Sequence, residues 1–358
     1  MSGFSADAAD WPEPARRKGR MKIGIISAGK VGAVLGAALR LAGHTIVGAY
    51  ASSEASKDRL DAMLPGVAAL SVEENIARSQ MVLLAVPDDA LGPLVAGAAK
   101  LGLWRPGQLV VHVAGRYGIS ILDPAAQLGA LPLAIHPAMT FSGTSLDLKN
   151  LMGCSFAVTG EPMLVPIGQA LVSEMGGEPE LVEEEDRALY HAALAHGANH
   201  LVTLVTQAQR ILRAAGIAQP ASYLRPLLSA ALDGALNNGE AGLTGPVVRG
   251  DAGTVREHLQ SLDALAALGS GPSASADMPC GGADPSASAD VSGGGALDAE
   301  GVPGASSADA PSAIDFSDIP PTYRSLARAT ATRARARRAL RPEQAEAVLR
   351  ALEGSPES

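Results

Sequence analysis

Residues 21–36 read Met-Lys-Ile-Gly-Ile-Ile-Ser-Ala-Gly-Lys-Val-Gly-Ala-Val-Leu-Gly, a β-branched run that breaks at a glycine-spaced loop and continues into a small-residue helix. This stretch admits two phosphate-binding loops. In one, Ser27-Ala28-Gly29-Lys30-Val31-Gly32 is the G-x-G-x-x-G dinucleotide fingerprint with Ser for the first Gly, following the strand Lys22–Ile26. In the other, Gly24-x-x-x-x-Gly29-Lys30-Val31 is a near-miss of the nucleotide triphosphate P-loop, whose last position should be Ser or Thr. The P-loop reading fails on chemistry, because the hydroxyl after the Lys holds magnesium and Val31 has none. Gly24 also sits inside a strand pattern, whereas Gly32 and Gly36 suit a first helix that packs closely on a sheet. Gly29 then lets a cofactor pyrophosphate approach the backbone, and the N–H groups of Lys30, Val31 and Gly32 meet it at a helix N-terminus. If the φ of Ser27 is positive, Ser costs about 1 kcal/mol where Gly costs nothing.

The pattern continues as alternating strands and helices. A second strand, Thr45–Tyr50, ends at Ala51-Ser52-Ser53, where an NAD site usually places an Asp or Glu for the ribose 2′-hydroxyl. Ser52 and Ser53, with Lys57 and Arg59 close behind, suit a 2′-phosphate, so NADP is favoured over NAD. Glu54 argues the other way, and Ser53 also suits a helix cap. The apolar runs Met81–Val86, Gln108–Val113 and Leu131–Ile135 read as buried parallel strands. Helical segments lie at 72–78, where Ser71-x-x-Glu74 is a capping box, and at 89–102. The expected fold is α/β, a doubly wound parallel sheet over 21–160 followed by a mainly α-helical C-terminal domain over 161–268 and 320–352. Ligands bind at the carboxyl ends of such strands, which puts Val86, Pro87, Gly115 and the segment after Ile135 on the cofactor rim.

Charge is concentrated in one segment. The chain's net charge is −9, and residues 269–319 hold eight acidic side chains with no Lys or Arg. That segment is rich in Gly, Ser, Ala and Pro and repeats Pro-Ser-Ala-Ser-Ala-Asp at 272–277 and 285–290, so it is expected to be a disordered insertion. The arginines between Arg324 and Arg341 read as a solvated helix face rather than a nucleic-acid surface. Residues 1–20 carry basic side chains without an apolar core behind them, which reads as a disordered extension and not a signal peptide. No run reaches membrane-spanning length. Two cysteines, Cys154 and Cys280, make no disulfide framework and fit a reducing cytoplasm.

Three places carry candidate chemistry. His136 follows the Leu131–Ile135 strand and opens His-Pro-Ala-Met-Thr-Phe-Ser-Gly, so it stands where a nicotinamide and its substrate meet, able to move the proton that accompanies hydride transfer. Thr140 and Ser142 on the same loop are candidate substrate ligands. A purely structural His136 would anchor the loop. On the long helix beginning near Glu184, His196, Asn199, His200, Thr203, Gln207 and Arg210 fall in one stripe, with His196 and Asn199 as candidates to hold a substrate oxygen. The stripe is equally explained by buried hydrogen bonding, water or a partner's polar rim. His196 and His200 have zinc spacing but lack an intervening Glu and a third ligand, so no metal is expected. The third place, Leu243-Thr244-Gly245-Pro246-Val247-Val248-Arg249-Gly250-Asp251, offers Thr244 and Arg249 for a carboxylate, or is a plain capping loop with Thr254-x-x-Glu257 as its box.

Together the Ile25–Gly36 loop, Leu84-Ala85-Val86-Pro87, His136-Pro137-Ala138-Met139-Thr140-Phe141 and the Leu243–Asp251 motif resemble a bacterial family of Rossmann-like NADP oxidoreductases with a helical C-terminal domain of unassigned function. That family is similar to pyrroline-5-carboxylate reductases and ketopantoate (2-dehydropantoate) reductases. The resemblance implies an NADP-binding reductase. His136-Pro137 also resembles the His-Pro loop of prephenate dehydrogenases, where the His contacts the substrate hydroxyl. Thr244-Gly245-Pro246 is placed like the substrate loop of pyrroline-5-carboxylate reductases but lacks its paired Gly and paired Thr. No Lys lies between residues 184 and 215, where ketopantoate reductases carry one. The expected protein is a cytoplasmic NADP-dependent oxidoreductase of a small oxo or imino acid, foremost of ketopantoate type, dimeric through its C-terminal helices. The rival is a non-catalytic NADP sensor.

Overall fold

The computed structural model describes residues 20–269 and 315–353. Nearly all of the expected N-terminal extension, and residues 270–314 of the acidic segment, lie outside the described residues. The segment's last residues belong to the fold: Ser317 N donates to Asp315 Oδ1 at 2.8 Å, and Ile319, 3% exposed, opens a helix. The chain divides into two compact units between Leu201 and Val202.

In chain order the first unit begins β1 (Lys22–Ile26), α1 (Lys30–Leu41), β2 (Thr45–Tyr50), α2 (Glu54–Met63), α3 (Val72–Arg78), β3 (Met81–Leu84) and α4 (Asp88–Lys100). It continues β4 (Leu109–His112), α5 (Asp123–Ala126), β5 (Leu131–Pro137), α6 (Leu146–Asn150), β6 (Ser155–Gly160), α7 (Val165–Glu174), β7 (Glu178–Leu181) and α8 (Arg187–Leu194). A π-helical turn, Ala195–Asn199, joins α8 to α9 (His200–Ala214). The remaining helices are α10 (Pro220–Asn238), α11 (Pro246–Arg249), α12 (Ala252–Gly269), α13 (Ile319–Ala336) and α14 (Pro342–Glu353).

The seven strands form one sheet in the order β2-β1-β3-β4-β5-β6-β7. The pairs from β2 to β5 are parallel, as the continuous apolar runs require of strands covered on both faces. β6 pairs antiparallel to β5, and β7 extends the sheet past the boundary expected at residue 160. Alternate residues serve opposite cores: Ile23, Met81, Leu83 and Val111 pack with Val34, Leu35 and Leu39 of α1, while Ile26, Val82, Leu84 and Val110 pack with Leu91 and Val95 of α4. Gly24 pairs with Val82 inside this sheet, and a Cβ on it would lie 2.3 Å from Ser79 Oγ and 2.9 Å from the Asn75 carbonyl. Its role is to admit α3, which closes the P-loop reading. The Ser71–Glu74 capping box of α3 is present in both directions.

The second unit is helical, its core built from Val247, Val255 and Leu259 with Ala327, Ala331, Ala334, Val348 and Leu352. Among the described residues no helix is long and apolar enough to cross a membrane.

Candidate active site at the carboxyl edge of the sheet

The β1–α1 turn has the shape of a dinucleotide loop. Ser27 has φ +82°, the left-handed region that favours glycine, and Ala28 N donates to the Tyr50 carbonyl at 2.8 Å. Gly29 caps α1 in extended conformation, and the nearest atom a Cβ on it would meet is Ser27 Oγ at 3.4 Å, so its outer side is open. A Cβ on Gly32 would stand 2.1 Å from the Ser27 carbonyl and 2.9 Å from Ala85 Cβ, so Gly32 presses α1 onto the β1 and β3 strand ends. An open glycine at the start of a twelve-residue helix, over a turn closed by a second glycine, fits a pyrophosphate on the N–H groups of Lys30, Val31 and Gly32.

At the end of β2 Ser53 takes the helix-cap role that its position suits. It caps α2, accepting from Ser56 N at 3.3 Å while its own N–H donates to Ser56 Oγ at 2.9 Å. Lys57 donates to Glu54 Oε1 at 2.7 Å. Ser52 is exposed. Val86 is half-buried after β3, and Pro87 precedes the first turn of α4.

At the ends of β4 and β5 several rings converge. His136 is half-buried, its Nδ1 hydrogen-bonded to the Tyr190 hydroxyl at 2.9 Å. His136 meets Tyr190 and His191 edge to face, with ring centroids 5.6 and 6.1 Å away. Gly115 is part of the same contact, since a Cβ there would lie 2.5 Å from His191 Cδ2 and 2.9 Å from His136 Nε2. Below it, His112 is fully buried, its Nε2–H donating to the Gly118 carbonyl at 2.8 Å while Nδ1 accepts from Ala114 N at 3.2 Å. Glu184 accepts from the Ile119 and Ser120 N–H groups, holding that loop to the segment before α8.

The charge under these rings is Arg187, 1% exposed. Its Nε donates to Thr159 Oγ1 at 2.7 Å, and Nη2 donates to the Ala134 and Ala157 carbonyls at 3.0 and 3.2 Å, which ties α8 to β5 and β6. Nη1 is buried with no hydrogen-bond partner among the described residues. Burial, reinforced by the Arg187 charge, holds the His136 pKa down at about 4, so its imidazole is neutral at physiological pH. Burial raises the Tyr190 phenol while Arg187 opposes the rise. Arg187 is itself lowered by burial to about 10 and stays charged.

Other expected residues have different surroundings. Ser142 Oγ donates to Asp147 Oδ1 at 2.9 Å, and Gly143 N donates to Asp147 Oδ2 at 2.7 Å, so Ser142 closes a turn on a buried carboxylate. Thr140 is exposed on that loop. The stripe on the long helix is broken by the π turn: His196 and Asn199 are exposed, His196 Nδ1 lies 3.0 Å from His200 Nδ1, and only Gln207 is buried. Thr244 and Arg249 belong to the second unit. There Thr244 and Gln207 line a mainly apolar cavity of about 420 Å³. The α12 cap is Asp251, whose Oδ1 accepts from Thr254 N at 3.1 Å, in place of the expected Thr254–Glu257 box. Among the described residues no group of three or more His, Cys, Asp or Glu side chains converges to hold a metal ion.

Tyr190, His191 and Arg187 were not singled out in the sequence. The available signal was Arg187-x-x-Tyr190, an i,i+3 pair on one face of a helix whose other residues, His191 apart, are Ala and Leu.

Fold and loop together define a Rossmann-like α/β protein with a helical C-terminal part. Residues 8–137 match the Rossmann-like domain family, and residues 154–270 match a domain of unknown function (DUF2520). No curated protein matches the chain. Among solved structures the fold is similar to that of a candidate NADP oxidoreductase from Bacteroides fragilis, at TM-score 0.57 and 20% identity over 70% of this chain and 93% of that one. Protein TM1727 from Thermotoga maritima is similar at TM-score 0.50 and 22% identity, covering 68% and 90%. So is an imine reductase from Myxococcus stipitatus in complex with NADP+, at TM-score 0.50 and 19% identity, covering 69% and 86%.

Proposed function

We propose that this chain is an NADP-dependent oxidoreductase that reduces a small oxo or imino acid. The observation that carries the reading is the His136–Tyr190 pair, set against Gly115 at the carboxyl ends of β4 and β5, in the same sheet whose β1–α1 turn is shaped for a dinucleotide. A bound nicotinamide dinucleotide supplies the hydride. This chain's residues manage the proton. With a pKa of about 4, His136 is protonated in only about one molecule in a thousand at pH 7, so it is a poor donor. The Tyr190 hydroxyl does carry a proton, and neutral His136 in its Nδ1–H tautomer donates to the Tyr190 oxygen, which fixes the phenol and leaves its own proton for the substrate. The proton passes from Tyr190 to the substrate oxygen or nitrogen, and the Arg187 guanidinium, 6.0 Å from the Tyr190 ring centroid, stabilises the phenolate left behind. The proton-donor role expected of His136 thus moves to Tyr190, with His136 orienting it.

Ketopantoate-type reduction remains the leading substrate assignment for an oxo acid, and the fold shared with an NADP-bound imine reductase supports testing imines beside it. The same reading includes a homodimer through the C-terminal helices, supported by Tyr223, Leu227, Leu232 and Leu236, which α10 leaves exposed. The test is NADPH consumption against a panel of 2-oxo acids and cyclic imines, alongside thermal unfolding with nucleotides. At a hundredfold over its dissociation constant NADPH stabilises the fold by about 2.7 kcal/mol, whereas ATP with magnesium gives almost nothing. A larger shift with ATP overturns the reading. The absence of Lys from residues 184–215 favours a second reading, a non-catalytic NADP sensor, which saturable NADPH binding without turnover would support.

A further inference from the structure

Two of the residues expected to read the cofactor's ribose are already engaged: Ser53 caps α2, and Lys57 is paired with Glu54. Two cations on that side are not, Arg59 of the expected set and Lys30. Lys30 is the first residue of α1, directly after Gly29, and is exposed; Arg59 lies on α2 and is half-buried. They come from different helices and meet at Gly143 on the loop that leaves His136. A Cβ on Gly143, where φ is +85°, would stand 2.7 Å from Arg59 Nε and 3.0 Å from Lys30 Cγ. Among the described residues no carboxylate pairs with either cation. The acid of that loop, Asp147, has one oxygen taken by Ser142 Oγ and the other by Gly143 N.

We infer that Lys30 and Arg59 hold the 2′-phosphate of NADPH and set the preference over NADH, resting on the dinucleotide reading above. The Arg59 guanidinium and the stem of Lys30 approach the same glycine, with no carboxylate paired to either among the described residues, and a phosphate monoester dianion there answers both charges at once. It accepts the planar fork of the guanidinium and the point charge of the ammonium. Position identifies which anion. Lys30 starts the helix that receives the pyrophosphate, and Arg59 follows β2, the strand whose end takes the adenosine ribose. β2 is separated from β5, where His136 stands, by the three strands β1, β3 and β4, so this charge does not serve a substrate carboxylate at His136. Gly143 completes the arrangement, because any side chain there would displace the Arg59 guanidinium.

The test is titration of the full chain with NADPH and with NADH, followed by quenching of protein fluorescence, for wild type and for Lys30→Gln, Arg59→Gln, the double variant and Lys57→Gln. Wild type is expected to bind NADPH at least about tenfold tighter. Each single change at Lys30 or Arg59 should weaken NADPH about tenfold with NADH within twofold, and the double variant should bind the two equally. NADH affinity reports that every variant is folded and that the dinucleotide site is intact. No preference in wild type, preference surviving in the double variant, or preference lost only in Lys57→Gln overturns the inference while NADH binding keeps the dinucleotide reading. Failure of both nucleotides to bind wild type overturns both.

Discussion

His136 Nδ1 lies 2.9 Å from the hydroxyl of Tyr190, a residue 54 positions further along the chain, and the two rings meet edge to face. Tyr190→Phe keeps the ring and its packing and removes only the hydroxyl. NADPH affinity should be unchanged and turnover should fall by roughly 10²–10⁴, the usual worth of a positioned proton donor. His136→Asn should lower turnover less, since the phenol remains and only its direction is lost. Steady-state rates on whichever panel compound is reduced decide this; if His196→Ala or Asn199→Ala shows the large loss and Tyr190→Phe does not, the chemistry sits at the His196–Asn199 stripe.

Acid should destabilise the fold through its neutral histidines. His112 and His136 have folded pKa values of about 4, below the ordinary 6.5, so between those values the unfolded chain binds protons that the folded chain does not. Their effect is absent above pH 6.5 and grows as pH falls toward 4. For fully buried His112 the loss by pH 5 is on the order of 2 kcal/mol. Urea midpoints at pH 7.5 and 5 measure it, and His112→Gln should flatten the slope; an unchanged slope would show that His112 is not the titrating group.

The β1–α1 turn makes two opposite predictions. Ser27→Gly relieves a left-handed backbone at φ +82° and should stabilise the fold by up to about 1 kcal/mol, part of the relief being offset by glycine's greater freedom when unfolded. Gly32→Ala drives a methyl to 2.1 Å from the Ser27 carbonyl and should cost about 1–3 kcal/mol, with NADPH binding lost. Thermal unfolding of the two variants reads both signs.

Leu227 and Leu236 on α10 are 65% and 76% exposed. If these side chains form the dimer contact, Leu227→Glu with Leu236→Glu should yield a monomer of unchanged helical content. Light scattering on the eluting protein checks the mass, and a wild-type monomer removes the dimer from the reading.

The parts of the fold that were legible in the sequence are those where one residue type answers one local demand. Gly32 admits a close helix, the runs at Met81 and Leu109 are strands apolar on both faces, and Ser71 with Glu74 caps α3. β7 was not legible, because Glu178-Pro-Glu-Leu181 is a largely exposed edge strand that exists by pairing with β6. The stripe on the long helix was legible as a spacing of polar residues, but the π turn at Ala195–Asn199 that interrupts the register on which i,i+3 and i,i+4 counting depends was not. His136 was found from its place at a strand end. Tyr190 and Arg187 were not, since nothing in α8 announces which strands it crosses. Ser142 drew attention as a loop hydroxyl, yet its partner is Asp147, five residues on.

Arg187 grips α8 to the sheet largely through the main-chain carbonyls of Ala134 and Ala157. Every residue type offers the same carbonyl, so those two strand positions can change in sequence without loosening the grip. Drift in the sheet therefore leaves the phenol of Tyr190 in place, whereas loss of the single guanidinium does not. Proteins built to this plan should be recognisable by an Arg three residues before a Tyr, at the start of the first helix after the last strand, long after the strands themselves have ceased to look alike.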